Sequence, residues 1–293
     1  MRFVFISCAI VLLSAAGCGI GAVPSGTQAG GAAHANHSKA LQAVGPHAST
    51  VIIVIMENRD YVRIIGDPNA PFINGTLVPQ AALMTESHAI THPSQPNYLA
   101  LFSGSTQGIT DDSCPHSFST ANLGAEVIAA GKTFDGYSES MPEDGYTGCT
   151  SGLYARKHNP WVDFTNVPAS SNLIWYDLPG TQPSVSIIVP NLCNDMHDCS
   201  TKTGDNWLKA NLPAILMYDS SHDGLLILTW DEADPDNNGS NRIATMLFGP
   251  MIVPGTYAQT VNHYNVLHTI EHVMDVACTA HACAAPVLTG MWQ

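Results

Sequence analysis

Unbroken runs of apolar residues, each cut off by a sudden change to polar ones, set the rhythm of this chain. Val51-Ile52-Ile53-Val54-Ile55-Met56 gives way to Glu57-Asn58-Arg59-Asp60-Tyr61, and Gly224-Leu225-Leu226-Ile227-Leu228-Thr229-Trp230 to Asp231-Glu232. A third run, Val185-Ser186-Ile187-Ile188-Val189, ends in Pro190-Asn191-Leu192-Cys193-Asn194-Asp195-Met196-His197-Asp198. Runs that do not alternate, rich in β-branched side chains, suit strands covered on both faces. Shorter strands are predicted over 133–137 and 243–248. Between the strands the pattern predicts helices over 97–102, closed by Gly104, and over 122–130, stopped by Gly131. Two more are predicted over 205–218, in spite of Pro213, and over 263–276. Strand-helix alternation of this kind predicts an α/β fold with a mostly parallel sheet. No internal repeat and no second linker interrupts residues 50–293, which read as one domain.

Residues 1–18 stand apart as a targeting segment. Arg2 precedes an apolar run over 3–13, shorter than the roughly 20 residues that span a bilayer. The small residues Ser14-Ala15-Ala16-Gly17-Cys18 follow, which reads as a signal peptide. The same ending resembles a bacterial lipobox with Cys18 as the acylated residue, so both free secretion and surface anchoring through Cys18 fit an exported chain. Residues 19–49, rich in Gly, Ala, Ser and His, read as a flexible linker. Setting aside Cys8 and Cys18 leaves six cysteines, and an even number in an exported chain predicts disulfides. Short separations favour Cys193–Cys199 and Cys278–Cys283, which leaves Cys114–Cys149. A thiolate zinc site competes, although the spacings form no pair of CxxC motifs.

Charge narrows the function classes. Only 12% of the 293 residues are charged, and 24 acidic against 10 basic ones give a net charge of −14. That balance argues against a nucleic-acid binder, which needs a basic face. It leaves room for a phosphorylated substrate, because a bound cation supplies local positive charge.

In a parallel sheet the carboxyl ends of the strands share one edge, where ligands of open α/β sheets bind. Glu57-Asn58, the 191–198 loop and Asp231-Glu232 therefore gather on one side. Hard oxygen donors suit Mg²⁺, Ca²⁺ or Mn²⁺, and Zn²⁺ accepts carboxylate and imidazole. One acidic strand end reads as a solvated loop; three on one edge read as a cation site. Thr91-His92-Pro93-Ser94-Gln95-Pro96-Asn97-Tyr98 adds a hydroxyl. Pro96 favours a helix starting close behind Ser94, where free N–H groups and the helix dipole attract an anion. Alone, Ser94 reads as a helix cap; beside acid-tipped strands it reads as a phosphoryl-transfer nucleophile. His158 sits in Ala155-Arg156-Lys157-His158, His197 in the acidic loop and His263 at a helix start. Together they offer donors to phosphate oxygens and a general acid for the leaving group.

Six stretches, in order, resemble the bacterial phosphoesterase family of secreted acid phosphatases and phospholipases C. They are Met56-Glu57-Asn58-Arg59, Thr91 to Leu101, Ala155-Arg156-Lys157-His158, Asn194-Asp195-Met196-His197-Asp198, Thr229-Trp230-Asp231-Glu232 and His263-Tyr264-Asn265-Val266-Leu267. The likeness extends to the short mycobacterial branch that acts on phosphatidylinositol 3-phosphate. The resemblance implies an alkaline-phosphatase-like three-layer α/β/α sandwich. It implies Ser94 as nucleophile, a covalent phosphoserine and its hydrolysis by water. Glu57, Asn58, Asp231, Glu232 and Ser94 match the ligands of one divalent metal ion, Mg, Ca, Mn or Zn. Asn97, His158, His197 and His263 match positions lining the phosphate pocket, with His92 and Lys157 as further substrate contacts. Members of the superfamily with two zincs carry more Asp and His ligands; here Asn191 and Asp195 fall near those places, which favours one metal. The substrate implied is a phosphate monoester, either a small molecule or a phospholipid head group. The alternatives are a phospholipase C-type phosphodiesterase and a non-catalytic lipoprotein that binds a phosphorylated ligand.

Two local patterns point elsewhere. His268-Thr269-Ile270-Glu271-His272 matches HxxEH of inverted zinc proteases but has only Asp275 as a downstream acid. Asp234-Pro235-Asp236-Asn237-Asn238-Gly239 starts like an EF-hand loop but places Thr245 where a bidentate Glu is required.

Overall fold

The apolar runs become the middle of a sheet. In the computed structural model, which describes residues 46–234 and 240–293, strand β1 (Thr50–Met56) is buried along its whole length. The leader over 1–18 with Cys18, the linker as far as residue 45, and the 235–239 part of the Asp-rich loop lie outside the described residues. Ala48 and Ser49 already belong to the fold: their N–H groups donate to the carbonyls of Val273 and Asp223.

After β1 come β2 (Ala82–His88), α1 (Ser94–Ser103), α2 (Leu123–Ala129) and β3 (Phe134–Glu139). A two-stranded ribbon follows, β4 (Thr150–Ser151) with β5 (Tyr154–Ala155), and then β6 (Asn172–Trp175) and β7 (Val185–Val189). The chain closes with α3 (Thr201–Ser221), β8 (Gly224–Trp230), β9 (Arg242–Phe248), β10 (Gly255–Asn262) and α4 (His263–Val273). The large sheet runs β10-β2-β9-β8-β1-β7-β3-β6. Every pairing is parallel except the two made by β9, which is antiparallel to β8 and to β2. Hence seven strands point one way and β9 alone points back.

Side-chain parity in β1 builds the layers. Val51, Ile53 and Ile55 enter one core with Leu99 and Phe102 of α1 and Leu267 and Ile270 of α4. Ile52, Val54 and Met56 enter the other with Trp207, Leu208, Leu212 and Ile215 of α3. A strand that must fill two cores has no place for a polar residue, which explains the unbroken run. The result is the expected α/β/α sandwich with a mostly parallel sheet.

Helix starts follow their caps. Asn122 accepts from the Ala125 N–H at α2, and Ser200 from the Thr203 N–H at α3. The α3 cap makes that helix begin four residues before the predicted 205. Gly104 closes α1 at φ +67°, and a Cβ there would lie 2.3 Å from the Thr279 carbonyl oxygen, so no other residue fits. All three disulfides form in the expected pairing, Cys114–Cys149, Cys193–Cys199 and Cys278–Cys283. No helix among the described residues is long and apolar enough to cross a membrane. The HxxEH residues do not converge: His268 Nδ1 bonds the Ala285 carbonyl, Glu271 accepts from Thr279 and His272 is exposed.

One buried carboxyl lies far from the strand ends. Asp219, near the end of α3, is 1% exposed, and neither of its carboxylate oxygens has a hydrogen-bond partner among the described residues. Burial raises its pKa from 3.8 to about 7. Because the folded pKa lies above the unfolded one, the folded chain holds this proton longer, and its ionisation takes stability away as pH rises from about 4 to 7. Asp219→Asn is therefore expected to raise Tm by several degrees at pH 8 and to leave it nearly unchanged at pH 4, measured by calorimetry. An equal shift at both pH values would refute the electrostatic account.

Candidate active site

The carboxyl edge collects what the strand ends carry. Strands β8, β1 and β7 are adjacent, so Asp231, Glu57 and the 191–198 loop emerge side by side. Backbone bonds lock them together: Glu57 N–H donates to the Asp195 carbonyl (2.8 Å), Asp231 N–H to Met56 (2.9 Å) and Arg59 N–H to Glu232 (3.2 Å). Asn58, at φ +49°, turns its N–H onto Asp231 Oδ1 at 3.1 Å. Strand β2 delivers the 89–93 segment, which crosses a cis His92–Pro93 bond into α1. Pro93 takes the N-cap position and Ser94 is the first helical residue. The serine hydroxyl is thereby spared from capping. It donates toward Glu57 Oε2 at 3.0 Å and Glu232 Oε1 at 3.3 Å, one proton shared between two acceptors.

Around that hydroxyl lie Glu57, Asp195, Asp231 and Glu232, none more than 3% exposed. Burial, reinforced by repulsion from Asp231 and Asp195, holds Glu57 well above its ordinary pKa. Burial lifts Asp195 well above its usual range, Asp231 to about 6 and Glu232, with Asp231 adding repulsion, to about 9. Little offsets this charge. Lys157 is nearby but ion-paired with Asp112 at 2.8 Å. His158 and His263 are both 1% exposed, and burial pushes their pKa down, His263 to about 4, so both are neutral.

The donor set fits a divalent cation. Asn58 Oδ1, Asp195 Oδ2, Asp231 Oδ2 and His263 Nδ1 are buried without a hydrogen-bond partner among the described residues. Glu57 Oε1 and His158 Nε2 face each other at 3.0 Å yet are not aligned for a hydrogen bond. Buried polar atoms are almost always satisfied, and lone pairs left over on carboxylate and imidazole are metal donors. One atom each from Glu57, His158 and His197 lie within 4.8 Å of one another, a candidate metal group. Glu57 is common to this group and to the set expected from the sequence; both histidines were expected to serve phosphate.

The other expected residues divide. His92 Nδ1 lies 2.5 Å from Glu232 Oε2. His197 is half-buried, bonds Asp198 Oδ1 through Nδ1 at 2.7 Å and meets Lys157 Nζ at 3.3 Å. His158 lies deeper, stacked on Tyr98 with centroids 5.1 Å apart. The Nε2–H of His263 donates to the Asp231 carbonyl at 2.6 Å, which leaves Nδ1 a lone pair and no proton to give. Asn97 also carries a structural role. Its amide accepts from Ile90 and Thr91 N–H and donates to the Thr91 and Pro93 carbonyls, so it clamps the segment that presents Ser94. The helix start is also less open than expected, because Gln95 N–H donates to Asp112 Oδ1 at 3.0 Å. Asp112, Tyr98 and the central place of Asp195 escaped the sequence reading. Asp112 carries no motif, and only the folded 105–118 loop brings it to α1.

The comparisons agree with this architecture. The model of the phosphoesterase family matches residues 67–277. The phosphatidylinositol-3-phosphatase of Mycobacterium tuberculosis is 44% identical over 253 residues, 84% of each chain. An acid phosphatase of Aspergillus fumigatus is 31% identical over 74% of this chain, which spans about half (53%) of that protein's length. Among solved structures, an alkaline phosphatase superfamily protein from Vibrio parahaemolyticus superposes with a TM-score of 0.60 at 12% identity, covering 83% of this chain and 71% of its own. That likeness speaks for the fold: the sandwich is the one used by that superfamily. With 211 consecutive residues under the family model and its strand ends converging on one serine, the chain belongs to the phosphoesterase family.

Proposed function

We propose that the protein is an exported, metal-dependent acid phosphatase that hydrolyses phosphate monoesters through a phosphoserine. The observation that carries this reading is the Ser94 hydroxyl, uncommitted to capping and hydrogen-bonded to two buried carboxylates. The substrates in the names of the mycobacterial and fungal relatives, a phosphoinositide and acid-phosphatase esters, point the same way.

Glu57, Asn58, Ser94, Asp231 and Glu232 would hold the cation, with His158 behind Glu57. Bound there, a divalent ion lowers the hydroxyl pKa and offsets the charge of the phosphate. The chain's own residues do the rest. Ser94 gives its proton to the carboxylate pair Glu57 and Glu232 as its Oγ forms a bond to phosphorus and the ester P–O bond breaks. His197, the most accessible of the three histidines, is held through Nδ1–H by Asp198 with its Nε2 lone pair facing Lys157 Nζ–H. Nε2 relays that proton from Lys157 to the leaving oxygen and hands one back to Lys157 in the second step. Lys157, kept charged by Asp112, faces the same oxygens with its remaining N–H. Water then attacks phosphorus and returns a proton to His197, the P–Oγ bond breaks, and Ser94 recovers its own proton.

The assay that tests the reading compares p-nitrophenyl phosphate with its bis-ester, with and without chelator. Monoester turnover that exceeds diester turnover and falls with chelator is expected. The reverse preference would make the chain a phosphodiesterase of the phospholipase C kind.

A further inference from the structure

A cleft of about 380 Å³ opens beside the carboxylate cluster, lined by Arg59, Arg63, Asn69, Thr201, Lys202 and the acids Asp67 and Asp234. It brings three of the chain's 10 basic residues together in a protein of net charge −14. Arg59 is the organised element. Its guanidinium donates through Nε to Thr201 Oγ1 (3.2 Å), through Nη1 to the Asn58 carbonyl (2.6 Å) and through Nη2 to the Cys199 carbonyl (2.7 Å). All three acceptors are neutral, so the guanidinium is fixed in place, with Asp234, Asp195 and Asp60 supplying opposite charge around it. Two of its five N–H donors remain. Arg63 is 58% exposed and meets Asp60 and Asp234 only at 3.9 and 4.0 Å, while Lys202 is 47% exposed and 3.4 Å from Asp205. The cleft also begins one residue from the cluster, since Arg59 follows Asn58 and bonds the Glu232 carbonyl.

We propose that this cleft is a second subsite, which holds the polyol ring and the retained phosphate of a bisphosphorylated substrate while Ser94 attacks the other phosphate. The inference rests on the phosphomonoesterase reading above. Three cations answer a phosphate, and Asp67 offers a carboxylate to ring hydroxyls, a mixed lining that a bare phosphate does not need. The chemistry is that of a phosphoinositide head group, whether attached to lipid or free.

The test uses the full chain, loaded with metal, and the double variant Arg63→Gln/Lys202→Gln, whose exposed positions spare the fold. The substrates are glycerophosphoinositol 3-phosphate, which keeps a diester phosphate, and inositol 3-phosphate, which has none. The double variant is expected to raise KM for the first about tenfold or more, with kcat little changed and the second substrate affected less than about twofold. Dioctanoyl phosphatidylinositol 3-phosphate should lose by the same factor. A loss confined to the lipid would assign the cations to a membrane surface and overturn the subsite. Equal losses on both soluble substrates, or none, would overturn it too. Turnover of p-nitrophenyl phosphate without turnover of either inositol phosphate defeats this inference alone; no turnover of any monoester defeats the proposed function with it.

Discussion

Ser94→Ala is expected to lower kcat on p-nitrophenyl phosphate by at least about 10³-fold, because the nucleophile of a covalent mechanism has no substitute. The hydroxyl is 1% exposed and sits between Glu57 and Glu232, a place that bulk water does not occupy in its stead. A wild-type reaction quenched in acid with ³²P-labelled substrate should yield labelled phosphoserine, and the variant none. The packing loss is one oxygen atom, so Tm should move little. More than a tenth of wild-type activity in the variant would eliminate the covalent route.

Stripping the cation should make the fold itself sensitive to pH. Glu57, Asp195, Asp231 and Glu232 all have folded pKa values above their unfolded ones. The metal-free folded chain therefore binds more protons than the unfolded chain, and stability falls as pH rises from about 4 through 6, where Asp231 ionises, toward 9, where Glu232 does. Each unit of such a shift corresponds to about 1.4 kcal/mol, and 1 kcal/mol moves Tm by roughly 2–4 °C at this size. A fall in Tm on the order of 10 °C between pH 5 and pH 8 is expected after chelation, and a much smaller one with metal restored. Asp231→Asn should lower metal content and rate, and flatten the pH dependence of the stripped protein. Unchanged metal content would remove Asp231 from the ligands; a flat profile in the chelated wild type would deny that the cluster is held together by a cation.

What could be read beforehand follows from how each residue is buried. Strands β1, β7 and β8 lie inside the sheet with helices over both faces, so their sequences are continuous apolar runs and their limits were plain. Strands β2 and β10 were not foreseen. Ala82–His88 mixes Thr, Glu, Ser and His into the strand, and Gly255–Asn262 is an edge strand with a single buried residue, Val261. Neither pattern differs from that of a loop. At the site, Ser94 and the strand-end acids were legible because each stands within a few residues of a strong local signal. The grouping of His158 and His197 around Glu57 was not, since it depends on how the segment after β5 folds back over the end of β7. Asn97 shows a second role that its motif did not reveal: its amide bonds the backbone of residues 90–93.

The adjacency of β8, β1 and β7 has a further consequence for the choice of ion. Neighbouring strands lie about 4.8 Å apart because their ladder of hydrogen bonds requires it. Glu57 and Asp231, the first residues past β1 and β8, inherit this spacing, so the sheet acts as a ruler whose pitch no side chain can alter. Widening the gap for a larger ion would break ladder bonds in the most deeply buried part of the molecule. On the proposed reading, accommodation would come instead from Asn58, Glu232 and His197, which lie beyond the strands in irregular segments. If the cluster holds a cation as proposed, discrimination among ions of different radius would be divided between a rigid baseline set by the backbone and a compliant rim set by its connections.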